Sequence, residues 1–247
     1  MTLTLASAAS LLSQHNLLRE VVHGDVWQLD ASGIDGADTP FEKLTYDTRE
    51  IAPGTLLVCK GRFKPEFLDG TEVKGLAAYV AETDLSEHTN RPGLIVNDAR
   101  KALSLLAAEF YDHPERELTL VGITGTKGKT TTAYFTQAIL NAYSGGRCAL
   151  FSSVDNCLDG HTYAESDLTS PESFDALRMM REAVDNGMTY LVIGGQLASV
   201  QSANACTGSR SMWARSSNIT PDHISPIEHP TLEDYLYCKR QLIANCR

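Results

Sequence analysis

Gly122-Ile123-Thr124-Gly125-Thr126-Lys127-Gly128-Lys129-Thr130-Thr131 is the stretch from which the rest of the chain is best read. The general phosphate-loop pattern, GxxxxGK followed by Ser or Thr, asks for glycine at 123, where this chain has Ile. The strict pattern therefore fails by one position, yet the chemistry is complete. Gly125 and Gly128 let backbone N–H groups turn inward around phosphate oxygens, a geometry that side chains would obstruct. Lys129 is placed to reach the β- and γ-phosphates, and the Thr130 hydroxyl to ligate Mg²⁺. A helix starting near Lys129 points its positive end at the anion. These residues predict a nucleoside triphosphate site, with Mg²⁺ beside Thr130.

Outward from the loop, the pattern supports an α/β fold. Residues 118–123 read as a buried strand before the loop, and a helix runs after it to about Asn141. Ser170-Pro171 reads as an N-cap with proline at the first helical position, opening a helix that Asn186-Gly187 ends. Residues 190–193 are another strand. Strand, glycine loop, helix, then helix and strand is the grammar of a parallel sheet with crossover helices. Upstream, the polar, proline-broken run 112–117 marks a boundary. Residues 1–108 form a mixed α/β unit with an amphipathic first helix, strands at 56–58, 77–80 and 94–96, and a helix over 99–111. Residues 109–247 form the second domain.

Composition narrows the function classes. The 247 residues are 43% hydrophobic and 21% charged, ordinary for a globular chain. Twenty-one Lys and Arg against 31 Asp and Glu give a net charge of −10, which argues against a nucleic-acid or membrane-surface binder. No apolar run approaches the roughly 20 residues of a membrane span. The first positive charge, Arg19, follows the Ala/Ser-rich opening rather than preceding it, unlike a secretory signal. Six cysteines, at 59, 148, 157, 206, 238 and 246, show no metal-binding spacing and read as reduced thiols of a cytoplasmic protein.

Four segments together resemble the Mur ligase family. The first is 124–131, similar to that family's variant phosphate loop and to that of the folylpolyglutamate synthetases. The second is Asp47-Thr48-Arg49-Glu50-Ile51-Ala52-Pro53-Gly54-Thr55-Leu56-Leu57-Val58, which looks like D-S-R-x-V-x-P-G-x-L-F-V of the family's UDP-binding N-terminal domain. Folylpolyglutamate synthetases lack that domain. The third, Thr169-Ser170-Pro171-Glu172, is similar to the T-T-P-E substrate turn. The fourth, Asn218-Ile219-Thr220-Pro221-Asp222-His223 with His229 and Tyr235-Leu236-Tyr237-Cys238-Lys239, resembles N-x-T-x-D-H…H…Y-x-x-A-K. All four occur in family order, and they point to its tripeptide-synthetase branch, MurE.

The resemblance implies roles residue by residue. Tyr46, Thr48, Gly61, Arg62, Phe63, Lys64, Thr169 and Ser170 would contact the UDP-sugar. Gly125, Thr126, Lys127, Gly128, Lys129, Thr130 and Thr131 would hold ATP. His223 would help bind a second Mg²⁺. Lys239 stands where the family carries a carbamoylated lysine, whose carbamate is a carboxylate-like metal ligand; an unmodified ammonium would repel the ion. Lys129, His223 and Lys239 are thus the candidate catalytic residues, and Thr130, His223 and Lys239 the metal ligands. Taken singly, Tyr46 and Thr48 are ordinary strand residues, and Lys239 on an amphipathic helix would be a solvated charge. The implied reaction is ATP-dependent addition of an amino acid to UDP-MurNAc-L-Ala-D-Glu in peptidoglycan precursor synthesis by a monomeric enzyme. The wording at 221–229 looks more like lysine-adding than diaminopimelate-adding members. The rival readings are another ligase of the superfamily, such as MurF or a folate ligase, and a non-catalytic binder of nucleotide or UDP-sugar.

One stretch departs from the family. After Tyr190-Leu191-Val192 the family places M-E-V-S-S, whose Glu is a Mg²⁺ ligand; here stand Ile193-Gly194-Gly195-Gln196-Leu197. From 193 to 217 the chain has no periodicity and only two charges, both Arg, and the resemblance resumes at Asn218. Ile-Gly-Gly can be encoded ATT-GGA-GGT, which on loss of one T reads ATG-GAG-GT, M-E-V. Met212-Trp213 permits no codon choice, and ATG-TGG fits inside the family's D-V-G. Three single-base shifts across 193–217 are therefore expected in the gene. Arg247 falls at or just beyond the Lys239 helix, so the expectation is of a central domain cut short, without the C-terminal domain that binds the incoming amino acid in the family, and of a chain inactive as written.

Overall fold

The computed structural model describes residues 2–166, 173–194 and 211–216, with Thr231 and Glu233. The chain divides into two compact units, Met1–Phe110 and Tyr111–Arg247. Both are mixed α/β, as the sequence predicts.

The first unit opens with α1 (Leu5–Gln14), started by a reciprocal cap in which the Thr4 hydroxyl accepts the Ser7 N–H (3.1 Å) while the Ser7 hydroxyl accepts the Thr4 N–H (2.9 Å). It buries Leu5, Ala8, Ala9 and Leu12, one face at helical spacing. A six-stranded sheet follows: β1 (Leu18–His23), β2 (Val26–Gln28), β3 (Lys43–Thr45), β4 (Thr55–Val58), β5 (Leu76–Ala81) and β6 (Gly93–Val96), in the order β2-β1-β6-β5-β4-β3. β3 to β6 are parallel, and β1 and β2 extend the sheet antiparallel. β4 and β6 are buried throughout, the mark of a sheet covered on both faces. α2 (Ala99–Phe110) closes the unit and buries Ala99, Ala102, Leu103, Leu106 and Ala107. Its first turn is capped by Asp98, which accepts from Arg100 and Lys101 N–H. Gly93 lies under the buried Tyr79, where a Cβ would fall 2.2 Å from the phenol ring.

The second unit holds another six-stranded sheet: β7 (Thr119–Thr124), β8 (Cys148–Ser152), β9 (Asp155–Cys157), β10 (Tyr163–Glu165), β11 (Tyr190–Gly194) and β12 (Ser211–Ser216), ordered β10-β9-β8-β11-β7-β12. β8, β11, β7 and β12 are parallel; α3 (Lys129–Ser144) lies between β7 and β8 in the chain and α4 (Ser173–Asp185) before β11, while β9 and β10 are an antiparallel hairpin appended at one edge. α4 ends where the sequence predicts, at Asn186-Gly187, with Gly187 left-handed (φ 82°). Its expected start at Ser170-Pro171 lies outside the described residues. β12 is a strand that the side-chain pattern gave no sign of. It is held by main-chain pairing to β7, and Trp213 on it is 66% exposed.

A phosphate loop at the carboxyl edge of the second sheet

β7 is interior, flanked by β11 and β12, and Ile123, Gly194 and Ser152 lie in register at the carboxyl ends of β7, β11 and β8. Strand order reverses about β7, because the chain moves from it to β8 on one side and later to β12 on the other. Ligands of open parallel sheets bind at the carboxyl ends of strands beside such a reversal.

From Thr124 the chain crosses four residues and enters α3 at Lys129. Gly125 has φ 142° and Gly128 φ 80°, values at which an L side chain is strained. Gly128 also occupies the N-cap position without a capping side chain, so the first-turn amides of α3 meet no side-chain acceptor there. Those amides and the helix dipole form a cradle for an anion. The Lys129 ammonium folds back over the loop and donates to the carbonyls of Gly125 (2.9 Å) and Thr126 (3.1 Å). Thr126 is buried, Thr130 half-buried, and Lys127 and Thr131 face solvent. Glycines, uncapped helix start and inward lysine together suit a polyphosphate.

The metal side is less complete. Position 194 carries no side chain, and a Cβ there would lie 2.5 Å from the Cβ of Ala133 on α3. Among the described residues no group of three or more His, Cys, Asp or Glu could hold a metal ion. His223, Lys239, Thr169 and Ser170 lie outside the described residues.

In the first unit, Tyr46 follows β3, and the Lys60 ammonium sits 4.0 Å from its ring centre, a cation–π contact. Thr48 begins a one-turn helix, Thr48–Glu50, capped by Asp47. Asp47 also pairs with the Arg49 guanidinium, which holds its carboxyl down at about 2. Gly61 turns the chain with φ 67°; Arg62 and Lys64 are exposed, whereas Phe63 packs against the unit's core and edge-on to Phe67. The structure thus brings Tyr46 to the start of the 60–64 loop. Lys60 is the residue that sequence reasoning passed over there, although it adjoins Gly61. Also passed over was a polar seam on α3. The Tyr134 hydroxyl donates to Asp155, Gln137 accepts from the Tyr163 hydroxyl (2.7 Å), and Asn141 donates to the Gly160 carbonyl (2.7 Å).

The family profile of the Mur ligase middle domain matches residues 123–247, from the end of β7 through the loop onward. The chain belongs to the Mur ligase family. It is 64% identical over 249 residues to a UDP-N-acetylmuramyl-tripeptide synthetase of Bifidobacterium longum, covering 100% of this chain and 48% of that protein. It is 42% identical to a UDP-N-acetylmuramoyl-L-alanyl-D-glutamate--L-lysine ligase of Enterococcus faecalis, again over 100% of this chain and 48% of the relative. Among solved structures, a UDP-N-acetylmuramoyl-L-alanyl-D-glutamate--2,6-diaminopimelate ligase superposes with TM-score 0.68 at 19% identity, over 98% of this chain and 45% of that one. MurF from Acinetobacter baumannii gives 0.60 at 16%, over 100% and 47%. At those identities the likeness is one of fold. This Mur ligase chain spans about half the length of the curated relatives it matches.

Proposed function

We propose that this chain carries the ATP-binding and UDP-substrate-binding parts of an ATP-dependent ligase that adds an amino acid, L-lysine, to UDP-MurNAc-L-Ala-D-Glu. The observation that carries the reading is the loop at 125–131, with its two strained glycines, uncapped helix start and inward Lys129. Lys129 would exchange its two carbonyl partners for phosphate oxygens, and the amides that open α3 would take the remaining charge. Thr130 is the magnesium ligand of this loop, with His223 and a carbamoylated Lys239 as further ligands. Tyr46, Thr48, Gly61, Arg62, Phe63, Lys64, Thr169 and Ser170 would hold the UDP-sugar. ATP bound there would give its γ-phosphoryl group to the dipeptide carboxylate, leaving ADP, and the incoming amine would attack the activated carbonyl carbon and displace inorganic phosphate. The work of the protein is positioning and charge neutralisation. Lysine is favoured over diaminopimelate by the 221–229 wording and by the lysine ligase among the relatives.

A binding role without ligation is favoured by one observation: Gly194, at the carboxyl edge beside the loop, supplies no carboxylate where the family places its glutamate. Loss of one such electrostatic group costs on the order of 10²–10³ in rate. The test is to give the intact chain ATP, Mg²⁺, UDP-MurNAc-L-Ala-D-Glu and L-lysine. Expected are saturable binding of the UDP compound and no detectable ADP release. ADP release that requires both acceptor and lysine would overturn the non-ligating role, and binding of neither ligand would overturn the whole reading.

A further inference from the structure

α3 bears two contrasting stripes. Phe135, Ile139 and Tyr143 form an exposed one. Tyr134, Gln137 and Asn141, spaced i, i+3, i+7, face β8 and the β9–β10 hairpin, and they are polar where a helix packed on a sheet is ordinarily apolar. Together they bond to Cys148, Asp155, Gly160 and Tyr163. The Tyr134 hydroxyl donates to Asp155 at the start of β9. Gln137, buried, donates to the Cys148 carbonyl (3.2 Å) and accepts from Tyr163 on β10 (2.7 Å). Asn141 donates to the Gly160 carbonyl and accepts the Cys148 N–H (2.9 Å). The Tyr163 ring stacks on Tyr134 with centroids 6.0 Å apart. On the hairpin side, the Ser152 hydroxyl accepts from Val154 and Asp155 N–H and donates to the Asp155 carbonyl, fixing the turn that presents Asp155.

An apolar stripe would hold the hairpin but would let it slide; directional hydrogen bonds in a partly buried seam fix one register. The seam starts one helical turn past Thr130, in the loop's own helix. At its other end β10 finishes at Glu165, four residues before Thr169 in the chain. We propose that Tyr134 and Asp155 are positioning residues that relay occupation of the phosphate loop, through α3, to the β9–β10 hairpin. The relay rests on the ATP-binding reading above.

Amide hydrogen exchange of the intact chain, with and without Mg²⁺-ATP, tests it through peptides covering 125–131 and 155–165. In the wild type both regions slow on ATP addition, the hairpin by on the order of fivefold or more. In Tyr134→Phe and in Asp155→Ala the loop is still protected by ATP and the hairpin is not; Asp155→Asn, whose amide oxygen still accepts, keeps the response. A wild-type hairpin indifferent to ATP beside a protected loop overturns the relay and leaves the ATP site standing. Hairpin protection that persists in both disrupting variants overturns it as well. So does a hairpin that exchanges freely in both variants before ATP is added, for the contact is then only structural. An unprotected wild-type loop removes the ATP reading and the relay together.

Discussion

Burial sets the chemistry of single side chains here, and the cysteines display it. Cys59 and Cys148 are enclosed in the two cores, and desolvation pushes each thiol up to about 12. At pH 8 neither should react with iodoacetamide in the native chain, and mass mapping of labelled peptides checks this. The same shift has a stability consequence. The folded thiols hold their protons above the ordinary value of 9.0, so the native state is favoured below that pH and loses this advantage as pH rises from about 9 to about 12. Urea midpoints should therefore fall across that interval, and replacing both cysteines by Ala should flatten the fall. Gly93→Ala should cost about 1–3 kcal/mol in urea unfolding, because the new methyl meets the buried Tyr79 ring. The glycine turn before α3, with the inward Lys129, was legible in sequence because a strand-to-helix turn at positive φ needs glycine at those positions. Lys60 and the Tyr134–Asp155 pair were not, since nothing local in sequence says that residues 14 and 21 positions apart will meet.

Among the elements, those with their own capping, periodicity or apolar run could be read in advance: α2, α3, α4 and the largely buried β4, β5, β6, β7 and β11. β1, β2, β3, β9 and β10 could not, because short strands that are partly or wholly exposed lack a buried apolar run and take their identity from pairing partners. β12 is the extreme case, a strand by main-chain pairing alone that carries an exposed Trp213. The junction of β11 with α3 makes a sharper statement about residue 194. Ala133 fits against Gly194 with no room for a Cβ, so Gly194→Glu alone should destabilise the chain by about 1–3 kcal/mol, and adding Ala133→Gly should recover much of that loss. Thermal melts of the two variants measure it; full stability of the single variant would show that the strand and helix separate freely. The frameshift reading of 193–217 predicts that DNA across those codons, restored by single-base changes, gives M-E-V at 193–195. In-frame codons that cannot yield it would remove that reading. A restored glutamate then needs α3 and β11 to part by a small distance.

At the scale of the molecule, each unit has its own sheet and its own buried cluster, around Leu57, Tyr79 and Ile95 in the first and around Ile123, Leu150 and Val192 in the second. Two calorimetric transitions are expected, and Mg²⁺-ATP should raise only that of the second unit, by about 2.7 kcal/mol of added stability at a hundredfold excess over Kd. A single transition raised as a whole would mean that the units unfold together. No described helix is long and apolar enough to cross a membrane. Everything proposed for function begins with phosphate held at the loop before α3. The most direct test is calorimetric titration of the intact chain with ATP and Mg²⁺, alongside Lys129→Ala. The account predicts saturable one-site binding in the wild type, weakened about 10- to 100-fold by loss of the lysine's charged hydrogen bonds. No binding to the wild type, or binding that Lys129→Ala leaves unchanged, would contradict it.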